Sequence, residues 1–502
     1  MLSNNKGIMD RELRIIIRNN HDCDGITESI INQFKEYFSC VSGIVLDCNM
    51  APRARDEAFT YINACSFSTH DNKYIRSAKL PIDGDILEKM LPYKSMAMHI
   101  MMRTLHYDVF DRRYLENSYY AHLKYWNQLL VENDINYVLF MCIPHHVGEY
   151  ILYALCKVKG IKTTLLDPQL SYKGILYHLG TDIETFGENV EREYHRLSDK
   201  EVSFNELSEF MRGVVDNTRN NKVIGAQNWD KIQAESKRLM YSEITKKKLI
   251  KSLGRIVLKK LGRHKEFEGD FFINQYRYIS RARKYEKRME HIKDYERMSI
   301  FPVKGEKFIY FPLQMTPEAS TMPLAGEFKN QILSIEMLSA AASKFDLHVY
   351  VKEHWVQYNR DRGFYKKIAN IENVRLIDLS CNSINLIEDS VAVASQTGNC
   401  LFEALLKGKP AISIGRGNTF KGAPNIVSVM NLSETEKVLS DIVDNKVNVS
   451  DKEIYRYLKA LDNSMVFSYL DSLEETFRLY SKEGTAKKIA LFSKNNFENG
   501  SF

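Results

Sequence analysis

At 502 residues the chain has room for two or three domains, and 44% apolar with 27% charged residues fits a globular protein with sizeable cores. No run of about 18 apolar residues is present, which argues against a membrane-spanning helix. The net charge is only +6, but residues 231–300 carry 20 Lys/Arg against 9 Asp/Glu, so the positive charge is concentrated there.

The polar opening from Met1 to Arg14 lacks a signal-peptide apolar core, and none of the eight cysteines forms a Cys-x-x-Cys pair. Both features read as a cytosolic chain with reduced thiols. Leu13–Arg18 reads as a first strand, Asn19–Gly25 as a polar loop, Glu28–Phe38 as a helix and Gly43–Asp47 as a second strand. Ile86–Arg103 and Tyr114–Asn133 carry helical patterns, with Pro92 kinking or splitting the first. Tyr137–Ile143 reads as a buried strand, Glu149–Lys159 as a helix ended by Gly160, and Ile161–Leu166 as the next strand.

From about 185 to 300 the pattern is helical and polar. A second series then begins, with strands at 307–311, 347–352, 374–377, 391–394 and 411–414 and helices between them. Ser433–Asp444 and Lys452–Tyr480 read as closing helices, and Lys482–Phe502 as weakly ordered. Strands alternating with helices argue for parallel sheets. The expected organisation is α/β and GT-B-like, with two Rossmann-like domains facing a central cleft. The first spans 9–184 on the acceptor side, followed by a mostly helical basic insertion over 185–300. The nucleotide-sugar-binding domain spans 301–450, and closing helices with a tail fill 451–502. A single doubly wound domain with helical insertions is the plainer alternative.

Candidate site residues lie where strands end, because ligands of open parallel sheets bind at the carboxyl ends of the strands. Ser395-Gln-Thr397-Gly398 is a short turn before a helix, suited to an anion, and Glu403 in that helix is placed for ribose hydroxyls. The same residues also serve as ordinary helix caps. Lys352 and His354 close a strand, where they suit a phosphate or a leaving-group oxygen. Glu318, in Pro317-Glu-Ala-Ser-Thr321, is a second acid/base candidate.

In the first half, His145-His146-Val-Gly-Glu149 sits at a strand-to-helix junction, with Glu149 the leading acid/base candidate and His146 beside it. Asn19-Asn-His-Asp22 is a further cleft-edge candidate. Two histidines and a carboxylate hint at metal, but the sequence shows no third ligand of matching context. Asp22-Cys-Asp24 and Asp83-Gly-Asp85 match a short metal-nucleotide pattern that is equally a helix cap. The expectation is a metal-independent site with no tightly bound cofactor. Lys246–Lys265 holds nine Lys/Arg and no acid, with apolar residues near helical spacing. It reads as a basic amphipathic helix for an anionic membrane surface or as a solvated packed helix, not as a nucleic-acid site.

Taken together, Tyr310-Phe-Pro-Leu-Gln314, Pro317-Glu-Ala-Ser320, Gly326-Glu-Phe-Lys-Asn-Gln331, Val351-Lys-Glu-His354, Thr397-Gly398 and Glu403-Ala-Leu…Gly408-Lys-Pro410 resemble the capsule polysaccharide biosynthesis family of bacterial glycosyltransferases. That family is related to the Kdo transferases of capsule and O-antigen assembly. The resemblance spans about Lys307 to Ala423 and implies a GT-B glycosyltransferase. Its donor would be a nucleotide sugar, CMP-Kdo or another CMP-linked 2-keto sugar acid. Its acceptor would be a glycan or lipid-linked glycan at the inner face of the cell membrane. By the resemblance His354, Thr397 and Gly398 hold the donor. The chain departs from the family pattern at Trp355, where proline is usual, at Asn399 and at Gln314. A sugar-nucleotide epimerase or hydrolase on the same fold, and a non-catalytic glycan-binding assembly protein, are the alternatives.

Overall fold

The computed structural model describes residues 9–19, 25–47, 56–63, 75, 77–104, 112–171, 175–220, 292–316, 318–354, 360, 363–417, 419–467 and 482–499, with Ile250, Leu253, Gly254, Val257 and Leu261. Two sheets organise it. The first has strands β1 (Met9–Arg18), β2 (Phe38–Asp47), β3 (Phe59–Asn63), β4 (Tyr137–Phe140), β5 (Lys162–Ser171), β6 (Ile175–Gly180) and a late β13 (Val466–Phe467). The second has β7 (Phe308–Pro312), β8 (His348–Lys352), β9 (Val374–Leu376), β10 (Ala392–Ser395), β11 (Ala411–Ile414) and β12 (Ile426–Val429).

The first sheet runs β13-β6-β5-β4-β1-β2-β3, parallel except where β6 pairs with β5 and β13. The second runs β12-β11-β10-β7-β8-β9 and is parallel throughout. Read from β9 to β12 this is the doubly wound order 3-2-1-4-5-6. In each sheet the chain starts centrally and builds outward in both directions. A topological switch point therefore lies between β1 and β4 in one sheet and between β7 and β10 in the other.

The central strands are apolar on both faces, as strands covered by helices on both sides must be. Ile16, Val138 and Phe140 pack toward helices 91–104, 112–132 and 147–159. Ile15, Ile17 and Leu139 pack toward helices 26–37 and 482–499. Gly43 lies opposite Ile15 in the β1–β2 register, and a Cβ there would stand 1.9 Å from the Ile15 carbonyl oxygen. A glycine is what lets these strands approach.

Several elements differ from their sequence reading. The helix expected over 86–103 divides at Met90 into Gly84–Lys89 and Leu91–Thr104, with Pro92 in the first turn of the second piece, where its missing N–H costs little. Lys452–Tyr480 does not form one helix; Asp451–Ser464 ends at Met465 and the chain enters β13. Lys482–Asn499 is an ordered helix, not a weakly ordered tail, and it buries Ala486, Ile489 and Ala490 in the core of the first half. Helices Glu188–Arg196 and Glu209–Arg219 pack with Asp451–Ser464 in the core of the second half. Ile244–Lys265 lies mostly outside the described residues. Among those described, Ile250, Leu253, Val257 and Leu261 are exposed.

The halves share packing. Leu176 of β6 joins the core of the second half, and Leu324 joins that of the first. Lys421 reaches Glu188 at 3.2 Å across the same seam.

Candidate functional site

The carboxyl ends of β7, β8 and β10 meet in one buried polar network. Gln314, just past β7, donates from Nε2 to Thr397 Oγ1 at 3.1 Å, and the Thr397 N–H points back to Gln314 Oε1 at 3.4 Å. Thr397 Oγ1 in turn donates to Ser320 O at 2.8 Å. These bonds span the switch point between β7 and β10 and tie it to loop 318–325. Gln331, opening helix Gln331–Ala342, accepts from Gln314 N at 2.7 Å and donates to Gln314 O at 2.9 Å. Gln314 is thereby held on its backbone and its side chain.

Beyond β8, Glu353 and Arg360 form a buried two-point ion pair, with Nε at 2.8 Å and a second nitrogen at 2.7 Å. The same carboxylate accepts Tyr365 Oη at 2.7 Å and the His354 N–H at 2.6 Å. Arg360 also donates to Gln314 O at 3.0 Å. Burial, outweighing the opposing pull of Glu353, brings the His354 imidazole down to about 4. His354 is therefore neutral near pH 7 and acts by hydrogen bonding, not by charge. Lys352 Nζ is held by Cys381 O at 2.6 Å and Ser383 Oγ at 3.1 Å. Ser395 is fully buried and accepts the Gly398 N–H at 3.3 Å. A Cβ at Gly398 would lie 2.8 Å from Ser395 Oγ. Glu403 is buried in the first turn of Cys400–Leu406. Glu318 caps its own turn, accepting the Ala319 N–H at 3.0 Å, and its charge reaches His354.

The other cluster lies at the switch point of the first sheet. Arg18, the last residue of β1, donates to Glu149 Oε1 from Nε at 2.8 Å and from a second nitrogen, and both side chains are buried. Burial opposes ionisation of Glu149, but Arg18, His146 and His145 outweigh it and hold the carboxyl at about 2. Glu149 is the first-turn acid of helix Val147–Lys159, whose capping residue is His146. The His145 and His146 rings lie 4.4 Å apart. Cys142, His145 and Glu149 offer ligand atoms within 4.8 Å of one another, a third ligand type that the sequence pattern did not disclose. A dication there would have to share Glu149 with the Arg18 guanidinium.

The structure therefore gathers Lys352, His354, Ser395, Thr397, Gly398, Glu403 and Glu318 around the second sheet, and His146 and Glu149 around the first. Arg18, Gln314, Gln331, Glu353 and Arg360, which the sequence did not single out as site residues, form the connections. Asp83 precedes helix Gly84–Lys89 with no side-chain capping bond, and Asp22 and Asp24 lie outside the described residues. Among the described residues no helix is long and apolar enough to cross a membrane.

No family model matches the chain, and no curated protein sequence matches it. Solved structures similar to it include a UDP-GlcNAc 2-epimerase from Neisseria meningitidis bound to UDP-GlcNAc, at 10% identity over 97% of this chain and 100% of that one, with a TM-score of 0.26. KpsC from Thermosulfurimonas dismutans, a beta Kdo 2,7 transferase, matches at 11% identity over 80% and 96%, with a TM-score of 0.29. S. aureus MnaA with UDP matches at 10% identity over 97% and 96%, with a TM-score of 0.26. Likeness at this level carries no argument about activity.

Proposed function

We propose that the protein is a GT-B-type glycosyltransferase that moves a sugar from a nucleotide-activated donor onto a glycan or lipid-linked glycan. The observation that carries this reading is the Gln314–Thr397 bond across the β7/β10 switch point, with His354 and Glu318 around it. Doubly wound sheets bind nucleotides at such crevices. The motif order from Tyr310 to Pro410 supplies the sugar-nucleotide class.

The second half holds the donor. Of its described cations at this end, Lys352 and Arg360 are engaged by protein groups at hydrogen-bond distance, and Arg416, just past β11, pairs with Glu184 at 3.7 Å. That favours a donor with a single phosphate, such as a CMP-linked 2-keto sugar acid, over one with two. His354, neutral, donates a hydrogen bond to the leaving phosphate, and fixed donors of this kind act without reorganisation. Glu318 is the acid/base group on the donor side. On the acceptor side Glu149, ionised far below neutral pH, is a weak base, and His146 beside it is better placed to take a proton. Exposed Ile250, Leu253, Val257 and Leu261 follow helical spacing within a basic stretch, which supports peripheral contact with an anionic membrane through 244–265.

Titration of the full chain with CMP, CDP, UDP and GDP tests the reading. CMP is expected to bind most tightly, with His354→Ala and Thr397→Val each weakening it at least tenfold. Preference for UDP or GDP would refute the single-phosphate donor, and binding of none would refute the glycosyltransferase reading.

A further inference from the structure

Two acceptor atoms at the first switch point are buried and unanswered. Asn19, one residue past β1 and 1% exposed, donates from Nδ2 to Thr27 Oγ1 at 3.0 Å, while its Oδ1 has no hydrogen-bond partner among the described residues. Glu149, 6% exposed, spends Oε1 on Arg18, and its Oε2 likewise has no partner among the described residues. The Arg18 guanidinium links the two residues, donating to the Asn19 carbonyl on one side and to Glu149 on the other. Thr27 and Arg18 thus fix the orientation of both groups and leave one acceptor on each. Buried acceptors are almost always satisfied, because leaving one unpaired forfeits its hydration. Two together at the carboxyl end of a central strand point to a ligand that brings the donors.

We propose that Asn19 Oδ1 and Glu149 Oε2 form a subsite that reads neighbouring hydroxyls of a neutral sugar ring, the acceptor in the reading given above, on which this inference rests. Both atoms only accept, so the ligand must donate. An anion is excluded by the carboxylate, and a dication is disfavoured by Arg18 in direct contact with that carboxylate. Sugar hydroxyls carry the required O–H donors, and each keeps its oxygen available for other contacts. In this arrangement Glu149 orients the acceptor hydroxyl, and it does not remove its proton.

Saturation-transfer NMR of the full chain with glucose, galactose, N-acetylglucosamine and ribose tests the subsite, with nucleotide binding measured in parallel. At least one sugar is expected to bind the wild type. Asn19→Leu and Glu149→Gln should each weaken it tenfold or more, with nucleotide affinity unchanged within twofold. The pair Asn19→Leu/Thr27→Val removes both partners of the fixed hydrogen bond and replaces the single change should that variant fail to fold. Three results would overturn the proposal: sugar binding equal to wild type in the folded variants, no sugar binding to a wild type that still binds nucleotide, or uptake of one zinc ion per chain that Cys142→Ser abolishes. Sugar binding without nucleotide binding would overturn the glycosyltransferase reading and leave this subsite standing.

Discussion

Replacing Arg360 by methionine should destabilise the second half strongly, because it strips the counter-charge from a buried carboxylate. Glu353 accepts four hydrogen bonds, from two Arg360 nitrogens, Tyr365 Oη and the His354 N–H. Methionine keeps an unbranched apolar stem but loses the guanidinium, whose central carbon lies 4.7 Å from the Phe364 ring centroid, so a cation–π contact goes with the ion pair. It removes two of the four bonds and the charge. Breaking a buried pair from one side costs about 3–5 kcal/mol. Arg360→Met/Glu353→Gln removes the stranded charge as well and should recover at least ~2 kcal/mol of that loss, a coupling expected for groups in contact. Arg360→Lys should fall between, since a point charge cannot reproduce the two-point fork. Urea denaturation of the wild type, Arg360→Met, Glu353→Gln and the double variant measures the cycle. A single-variant loss below about 1 kcal/mol, or strict additivity in the cycle, would refute the reasoning, because the carboxylate would then be solvated or otherwise neutralised.

Three further outcomes are expected. His178 is fully buried on β6 beside Phe420, and burial brings its imidazole down to about 3. The folded form therefore resists a proton that the unfolded chain takes at its ordinary value, so stability is full above pH 6.5 and falls by about 1.4 kcal/mol per unit below it, levelling near pH 3. His178→Leu should flatten that part of a thermal-unfolding profile between pH 7.5 and 4.5, and equal slopes in the two proteins would contradict this. Gly398→Ala places a Cβ 2.8 Å from Ser395 Oγ and should weaken nucleotide binding at least tenfold; Gly408→Ala, with φ +66° and open space, should cost about 1 kcal/mol in stability and leave binding intact. Amides of Ile489 to Asn496 should be protected in hydrogen exchange, since Ile489 is buried and Asn496 donates to Tyr137 Oη at 3.0 Å. Exchange there at the rate of an unstructured chain would remove the final helix from the fold.

The strands at the sheet centres were legible because burial on both faces leaves short unbroken apolar runs, as in Ile15–Ile17 and Tyr137–Phe140. The residues just after those runs were legible as site candidates for the same reason. Elements whose buried face is partly polar were not. The stripe of Lys482–Asn499 runs through Ser493 and Asn496, which look solvated in sequence but find Thr164 Oγ1 and Tyr137 Oη on the sheet. In β6 the buried His178 interrupts a short apolar run. β3 is a five-residue sheet edge with Thr60 and Asn63 exposed and Tyr61 and Ile62 half-buried, so its apolar residues neither alternate cleanly nor form an unbroken run. Pairings such as Arg18 with Glu149 join residues 131 apart and leave no periodic trace.

The carboxyl ends of the two sheets share a construction. Each places a buried Arg–Glu pair where the central strands end: Arg18–Glu149 beside β1 and β4, and Arg360–Glu353 beside β7 and β8. Buried pairs of this kind gain little over apolar residues of similar size, so stability alone does not account for them. Each pair instead fixes backbone at the crevice. Arg18 holds the Asn19 carbonyl, and Arg360 holds the Gln314 carbonyl while Glu353 takes the His354 N–H. The groups so held are those assigned above to the acceptor and the donor. If the pairs serve positioning, variants that spare folding should change substrate binding on their own side of the molecule only. Arg18→Lys should then weaken sugar binding with nucleotide affinity unchanged, and Arg360→Lys should do the reverse. Equal losses of both ligands in both variants would show that the pairs support the fold as a whole and not the two crevices separately.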